Sequence, residues 1–127
     1  MTVQLESISA EDTAALAARV RAYLSALPTA AIPLTYQALA RALAVKPPYT
    51  IHRLILALEW TMREDHSQGR PFIAARVISR ARGGLPAPGF FVLASDLGRH
   101  DGTEDGEGAR RFHAQQLLAL TDTTDRR

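Results

Sequence analysis

Hydrophobic positions recur with two different periods along this chain, and the change of period divides it. Between residues 9 and 27, Leu16, Ala17, Val20, Tyr23, Leu24 and Leu27 fall on one stripe of a 3.6-residue helix. Ser9 can cap that helix, and Glu11 and Asp12 suit its positive N-terminal end. Pro28 ends it and Pro33 blocks an early restart. Thr35 reads as the cap of a second helix within 34–45, with Tyr36, Leu39, Ala40 and Leu43 inward. The turn must be Lys46-Pro47-Pro48-Tyr49, because two prolines cannot lie inside a helix.

A third helix is expected over 50–66, capped by Thr50. Its buried stripe is Ile51, Leu54, Ile55, Leu58 and Met62, which leaves His52, Arg53, Ala57, Glu59 or Trp60, and Arg63 nearer the exposed sides. From residue 70 the period shortens to two. In RPFIAARVIS, Ile73, Ala75 and Val77 alternate with Ala74, Arg76 and Ile78, so a strand would project Arg76 and Arg80 from one face. A Gly/Pro-rich loop carries the chain to a returning strand at Phe90–Leu93, with one helical turn to follow. Residues 101–108, DGTEDGEG, read as a flexible acidic loop. A last helix is expected at 109–120, before a fraying TDTTDRR tail. Helix, turn, helix and basic hairpin form the outline of a winged helix-turn-helix. The expected class is α+β, mainly α, in a single domain with an added N-terminal helix and a C-terminal helix.

Composition narrows the setting. The 127 residues are 46% hydrophobic and 22% charged, the balance of a globular domain large enough for one core. No apolar run reaches the length of a membrane span, and MTVQLESISAED lacks the pattern of an export signal, so a cytoplasmic protein is expected. Absence of cysteine excludes disulfides, thiolate zinc sites and cysteine nucleophiles. The net charge of +2 is unevenly spread: residues 41–82 hold eight basic residues against three acids, a local net of +5.

Part of this pattern resembles a family of small bacterial winged-helix modules, found alone or fused to restriction-type nucleases. The resemblance runs over 34–120, on Tyr36, Leu39, Ala40, Pro71, Gly84, Pro86, Gly89 and Phe90, with Leu85 and Ala87-Pro88 as departures. More distantly, the TYQALA helix and Gly-rich hairpin resemble the DNA-binding domain of alkylguanine alkyltransferases and alkyltransferase-like proteins. The Pro-Cys-His-Arg or Pro-Trp-His-Arg motif of those proteins is not met here. His52-Arg53 has no preceding proline–cysteine, and without a thiolate there is no acceptor for an alkyl group. Recognition of a damaged base without transfer is the most that this likeness implies.

The candidate DNA-binding residues are Tyr49, His52 and Arg53 at the start of the third helix, and Arg76, Arg80 and Arg82 on the wing. Each has a bland alternative: Arg53 as a charge on a surface helix, the wing arginines as a solubilising set on an edge hairpin. The four histidines lack metal spacing and are expected at the surface, and no nucleophile–base set is visible. The expectation is a non-enzymatic double-stranded DNA-binding module with no cofactor or metal, monomeric or a homodimer, or an accessory of a nuclease complex. The alternative is a winged helix that binds a protein partner instead.

Overall fold

The computed structural model describes residues 9–125, with side chains as far as Thr121. Residues 1–8 and the last two residues of the tail lie outside them. The chain is mainly helical, with one small sheet: α1 (Ala10–Ala26), β1 (Leu34–Thr35), α2 (Tyr36–Ala42), α3 (Thr50–Ser67), β2 (Val77–Ile78), α4 (Pro88–Asp96) and α5 (Gly106–Asp125). Three short 3-10 turns punctuate it at Thr29–Ala31, Ile73–Arg76 and Arg80–Arg82.

The first three helices follow their local signals. Ser9 accepts a hydrogen bond from the Asp12 amide at 3.0 Å, and Thr35 from the Ala38 amide at 3.1 Å, so two of the three expected caps are in place. Ala17, Val20 and Leu24 of α1 and Tyr36, Leu39 and Ala40 of α2 are buried. In α3 the buried set is Leu54, Ala57, Leu58, Thr61, Met62 and Asp65. Ala57 is therefore inside, not on an exposed side, while Ile51 and Ile55 are only half-buried. Thr50 is not the cap of α3. Tyr49 holds that position with φ of 60°, and no side chain caps the helix.

The expected wing hairpin at 70–93 is replaced by something else. Residues Phe72 to Val77 are all buried, so no face alternates, and the run crosses the core instead of lying on a sheet. Only Val77 and Ile78 form a strand, and it pairs in parallel with β1, Leu34 opposite Val77 and Thr35 opposite Ile78. The presumed returning strand is part of α4. Pro88 opens that helix, where a missing amide costs nothing, and Phe90, Phe91, Leu93 and Ala94 bury one helical face. What remains of a hairpin is a single antiparallel bridge between Ser79 and Leu85, turned by Gly83 and Gly84 at φ of 69° and 90°. The acidic segment is also shorter than expected, because α5 begins at Gly106.

An irregular segment inside a core must satisfy its backbone through side chains. Residues 72–76 do so from two helices. The Phe72 amide donates to Gln116 Oε1 of α5 at 2.8 Å, and the Ile73 amide to Asp65 Oδ2 of α3 at 3.0 Å. His113 Nε2 of α5 donates to the Ala75 carbonyl at 2.7 Å. Asp65 does more than this. Its Oδ1 accepts from Arg21 Nη1 of α1 at 2.8 Å and from Arg70 Nε at 3.1 Å, while the carboxylate itself is 1% exposed. Around this segment Phe72, Phe90, Phe91 and Phe112 pack edge to face, and His100 stacks on Phe112 with ring centroids 4.4 Å apart. His113 and the His100 ring are thus packed against the core instead of lying at the surface.

Two outcomes are expected. Asp65→Ala leaves Arg70 and the Ile73 amide without their acceptor, and Arg21 with only Glu64 and the Thr61 carbonyl, and should cost about 3–5 kcal/mol, read from the denaturant midpoint. Arg70→Ala, at a half-exposed partner, should cost no more than about 1 kcal/mol; equal losses would contradict the hub assignment. Burial holds the His113 imidazole below its ordinary value of 6.5, so the fold favours the neutral ring. Its contribution is complete above that value and is lost as pH falls towards the depressed one. Stability should therefore drop between about pH 7 and pH 5 more steeply in the natural chain than in His113→Gln, with other titrating groups common to both.

Candidate nucleic-acid interface

The turn between α2 and α3 is built from two residues in left-handed conformation. Ala44, with φ of 52°, closes α2 as its amide donates to the Arg41 carbonyl and the next amide, Val45, reaches back to the Ala40 carbonyl. Tyr49, with φ of 60°, starts α3 and leaves its own ring 45% exposed. Between them Lys46 stands exposed. Arg53, one turn into α3, folds back so that its Nε donates to the Pro48 carbonyl at 2.9 Å.

Arg19 reaches the same turn from α1, its Nη2 donating to the Leu43 carbonyl. Arg19, Lys46 and Arg53 together line an open cleft of about 300 Å³, with Asp12 as its one acidic wall residue. Three cations thus converge beside the N-terminal end of α3, where uncapped amides add partial positive charge. Arg53 follows from the sequence. Arg19 does not, because nothing local distinguishes an arginine on the flank of an amphipathic helix.

A second group lies along α3. His52, Glu59 and Arg63 interact electrostatically, as the seven- and four-residue spacings on one helix allow. Burial raises the Glu59 carboxyl above its ordinary 4.5, and Arg63 and then His52 pull it back. Glu59 also abuts the start of α4, since a Cβ on Gly89 would come within 3.0 Å of its Oε2. Tyr36 closes this group. Its hydroxyl accepts from the Ala87 amide at 2.8 Å, and burial raises its pKa above the ordinary 10.0 against the lowering by that bond and by Arg82.

The wing arginines do not act as a set. Arg80 is exposed, and its side chain makes no hydrogen bond among the described residues. Arg82 is half-buried, its Nε donating to the Pro86 carbonyl at 3.1 Å and its Nη2 to the Glu104 carbonyl, so it ties its own loop to the acidic segment. Thr103 and Asp101 secure that segment further, the Thr103 amide donating to Asp101 Oδ1 at 2.9 Å. Arg76 is removed from the interface altogether. Because 73–76 is a buried 3-10 turn and not an exposed strand, its side chain runs inward to the end of α1, 7% exposed.

Among the described residues no group of three or more histidines and carboxylates could hold a metal ion. No helix among them is long and apolar enough to cross a membrane. Comparisons of the chain with known protein families, with curated proteins and with solved structures return no match.

Tyr36 is the joint between α2, α3 and α4 in this region. Tyr36→Phe removes the acceptor of the Ala87 amide and should lower stability by about 1 kcal/mol, with the midpoint of chemical denaturation as the readout. A change below about 0.3 kcal/mol would show that water replaces the hydroxyl there.

Proposed function

We propose that the chain is a double-stranded DNA-binding module in which α2, the 43–49 turn and α3 act as a helix-turn-helix. The observation that carries this reading is the convergence of Arg19, Lys46 and Arg53 at the N-terminal end of α3. Three cations beside uncapped helix amides make a site for phosphate oxygens, and each phosphate neutralised releases counterions from the duplex. Tyr49 and His52 then stand where the first turn of a recognition helix meets base edges.

In this reading the loop closed by the Ser79–Leu85 bridge is a much reduced wing, with Arg80 as its available cation. The module is a winged helix only in that reduced sense. Arg76 has no part in the contact, and Arg82 shapes the loop instead of gripping the backbone. No reaction is assigned to it. Among the described residues the large apolar side chains that remain exposed are Tyr49 in the turn before α3, Val92 in α4 and Leu118 in α5.

Fluorescence anisotropy with a labelled generic duplex tests the proposal. At low salt the full chain should bind with a Kd of roughly 1–100 μM, weakening as salt rises. Arg19→Ala, Lys46→Ala and Arg53→Ala should each weaken binding and reduce the slope of log K against log salt by about 1 for every phosphate that is no longer neutralised. Undetectable binding at low salt, or an unchanged slope in the triple variant, overturns the reading and leaves protein contact as the alternative.

A further inference from the structure

Arg76 is the one buried cation for which the DNA reading has no use. Its Nη1 donates to the Leu24 carbonyl at 2.9 Å, in the last turn of α1. That turn carries no basic residue of its own, so Arg76 supplies the positive charge that a helix C-terminus favours. No carboxylate reaches the guanidinium among the described residues. Burial alone acts on it, pushing its pKa below the ordinary arginine range.

A guanidinium has five N–H donors, and the Leu24 carbonyl takes one. No buried side-chain nitrogen is left unpaired among the described residues, so the other nitrogens of Arg76 open onto space that solvent can enter. That space consists of two adjoining clefts that share Arg76 and Ser25. The first, about 200 Å³, is walled by Leu27, Ile32, Pro33 and Leu117, with the side chains of Thr29 and Thr121 beside them. In the second, about 240 Å³, Arg21 and Arg70 are paired with Asp65, and Arg21 with Glu64 as well, so two carboxylates meet two cations. Arg76 therefore remains without a carboxylate partner, and of the two clefts it lines, the first has the aliphatic walls and hydroxyls.

We propose that this first cleft, between the C-terminal ends of α1 and α5, binds a small aliphatic monocarboxylate, with Arg76 as its counter-ion. A planar carboxylate matches the guanidinium fork, and a short alkyl chain matches the Leu27–Ile32–Leu117 wall. The single free positive charge disfavours a phosphate dianion, which would import a second, uncompensated negative charge. Thr121 is a neighbour that can add a donor. Its Oγ1 now bonds back to the Leu117 carbonyl at 3.1 Å and can turn to a bound oxygen. The site is independent of the DNA reading, since none of its residues lines the cleft at the start of α3.

Titration of the full chain with butyrate, followed by NMR at the Arg76 Nε–H resonance, tests this site. Butyrate should shift the resonance saturably, while butyramide, its neutral counterpart, should leave it unmoved at the same concentration. In Arg76→Met, the backbone amides of Leu117 and Thr121 report instead, and their saturable response should vanish. If that variant does not fold, Thr121→Val keeps the guanidinium and the shape of the wall, and should weaken binding about 2- to 10-fold, the loss of one hydrogen bond. A linear response equal to that of sodium chloride, an equal response to butyramide, tighter binding of inorganic phosphate, or unchanged affinity in Thr121→Val would each overturn the proposal.

Discussion

A single buried carboxylate holds the architecture together. Asp65 sits near the end of α3 and takes three hydrogen bonds, from Arg21 on α1, from Arg70 after the helix and from the Ile73 amide. Ion pairs in such a position contribute little net stability against an apolar replacement, but they admit only one arrangement of their partners. The register of α1 against α3 and the point at which the chain dives into the core both follow from that arrangement. Arg19 depends on it in turn, because the registration that brings Arg21 to Asp65 brings Arg19 to the turn ahead of α3.

Backbone accounting explains why the segment after α3 has its shape. The sheet here has two strands of two residues, too short to pair the backbone of 72–76. Residues 72–76 consequently obtain their partners from Gln116, Asp65 and His113. The two helical contributors stand far apart in sequence, so the core is welded by long-range polar contacts as well as by the phenylalanine cluster. The same inward course that satisfies these groups turns Arg76 away from solvent.

Much of the first half of the fold is legible in the sequence, and the reason is local chemistry. Ser9 and Thr35 act on amides three residues away, and the apolar stripes of α1 and α2 need no knowledge of the rest of the chain. The second half misleads where local preference and tertiary setting part. Phe90 to Leu93 look strand-like because aromatic and β-branched residues suit a half-buried sheet, yet Pro88 and the core make them a helix. Alternation in 73–78 carries no information once both faces are buried. Of the candidate residues, Tyr49, His52 and Arg53 have their place at the start of α3 legible from the proline turn before them. Arg19 and the inward course of Arg76 are not, since an arginine in sequence is presumed solvated and only packing says otherwise.

The parallel pairing of β1 with β2 also bears on how this unit can be moved between proteins. Leu34 and Val77 are neighbours in space although the whole of α2 and α3 lies between them along the chain, so residues 34–78 form a closed circuit. A segment cut out at the ends of α2 and α3 would lose the clasp that shuts it. A transferable unit has to carry the circuit whole together with α1 and α5, because Arg21 reaches Asp65 inside it and Gln116 and His113 pair its 72–75 backbone. Modularity in this protein is therefore a property of the chain's topology and not of any one helix.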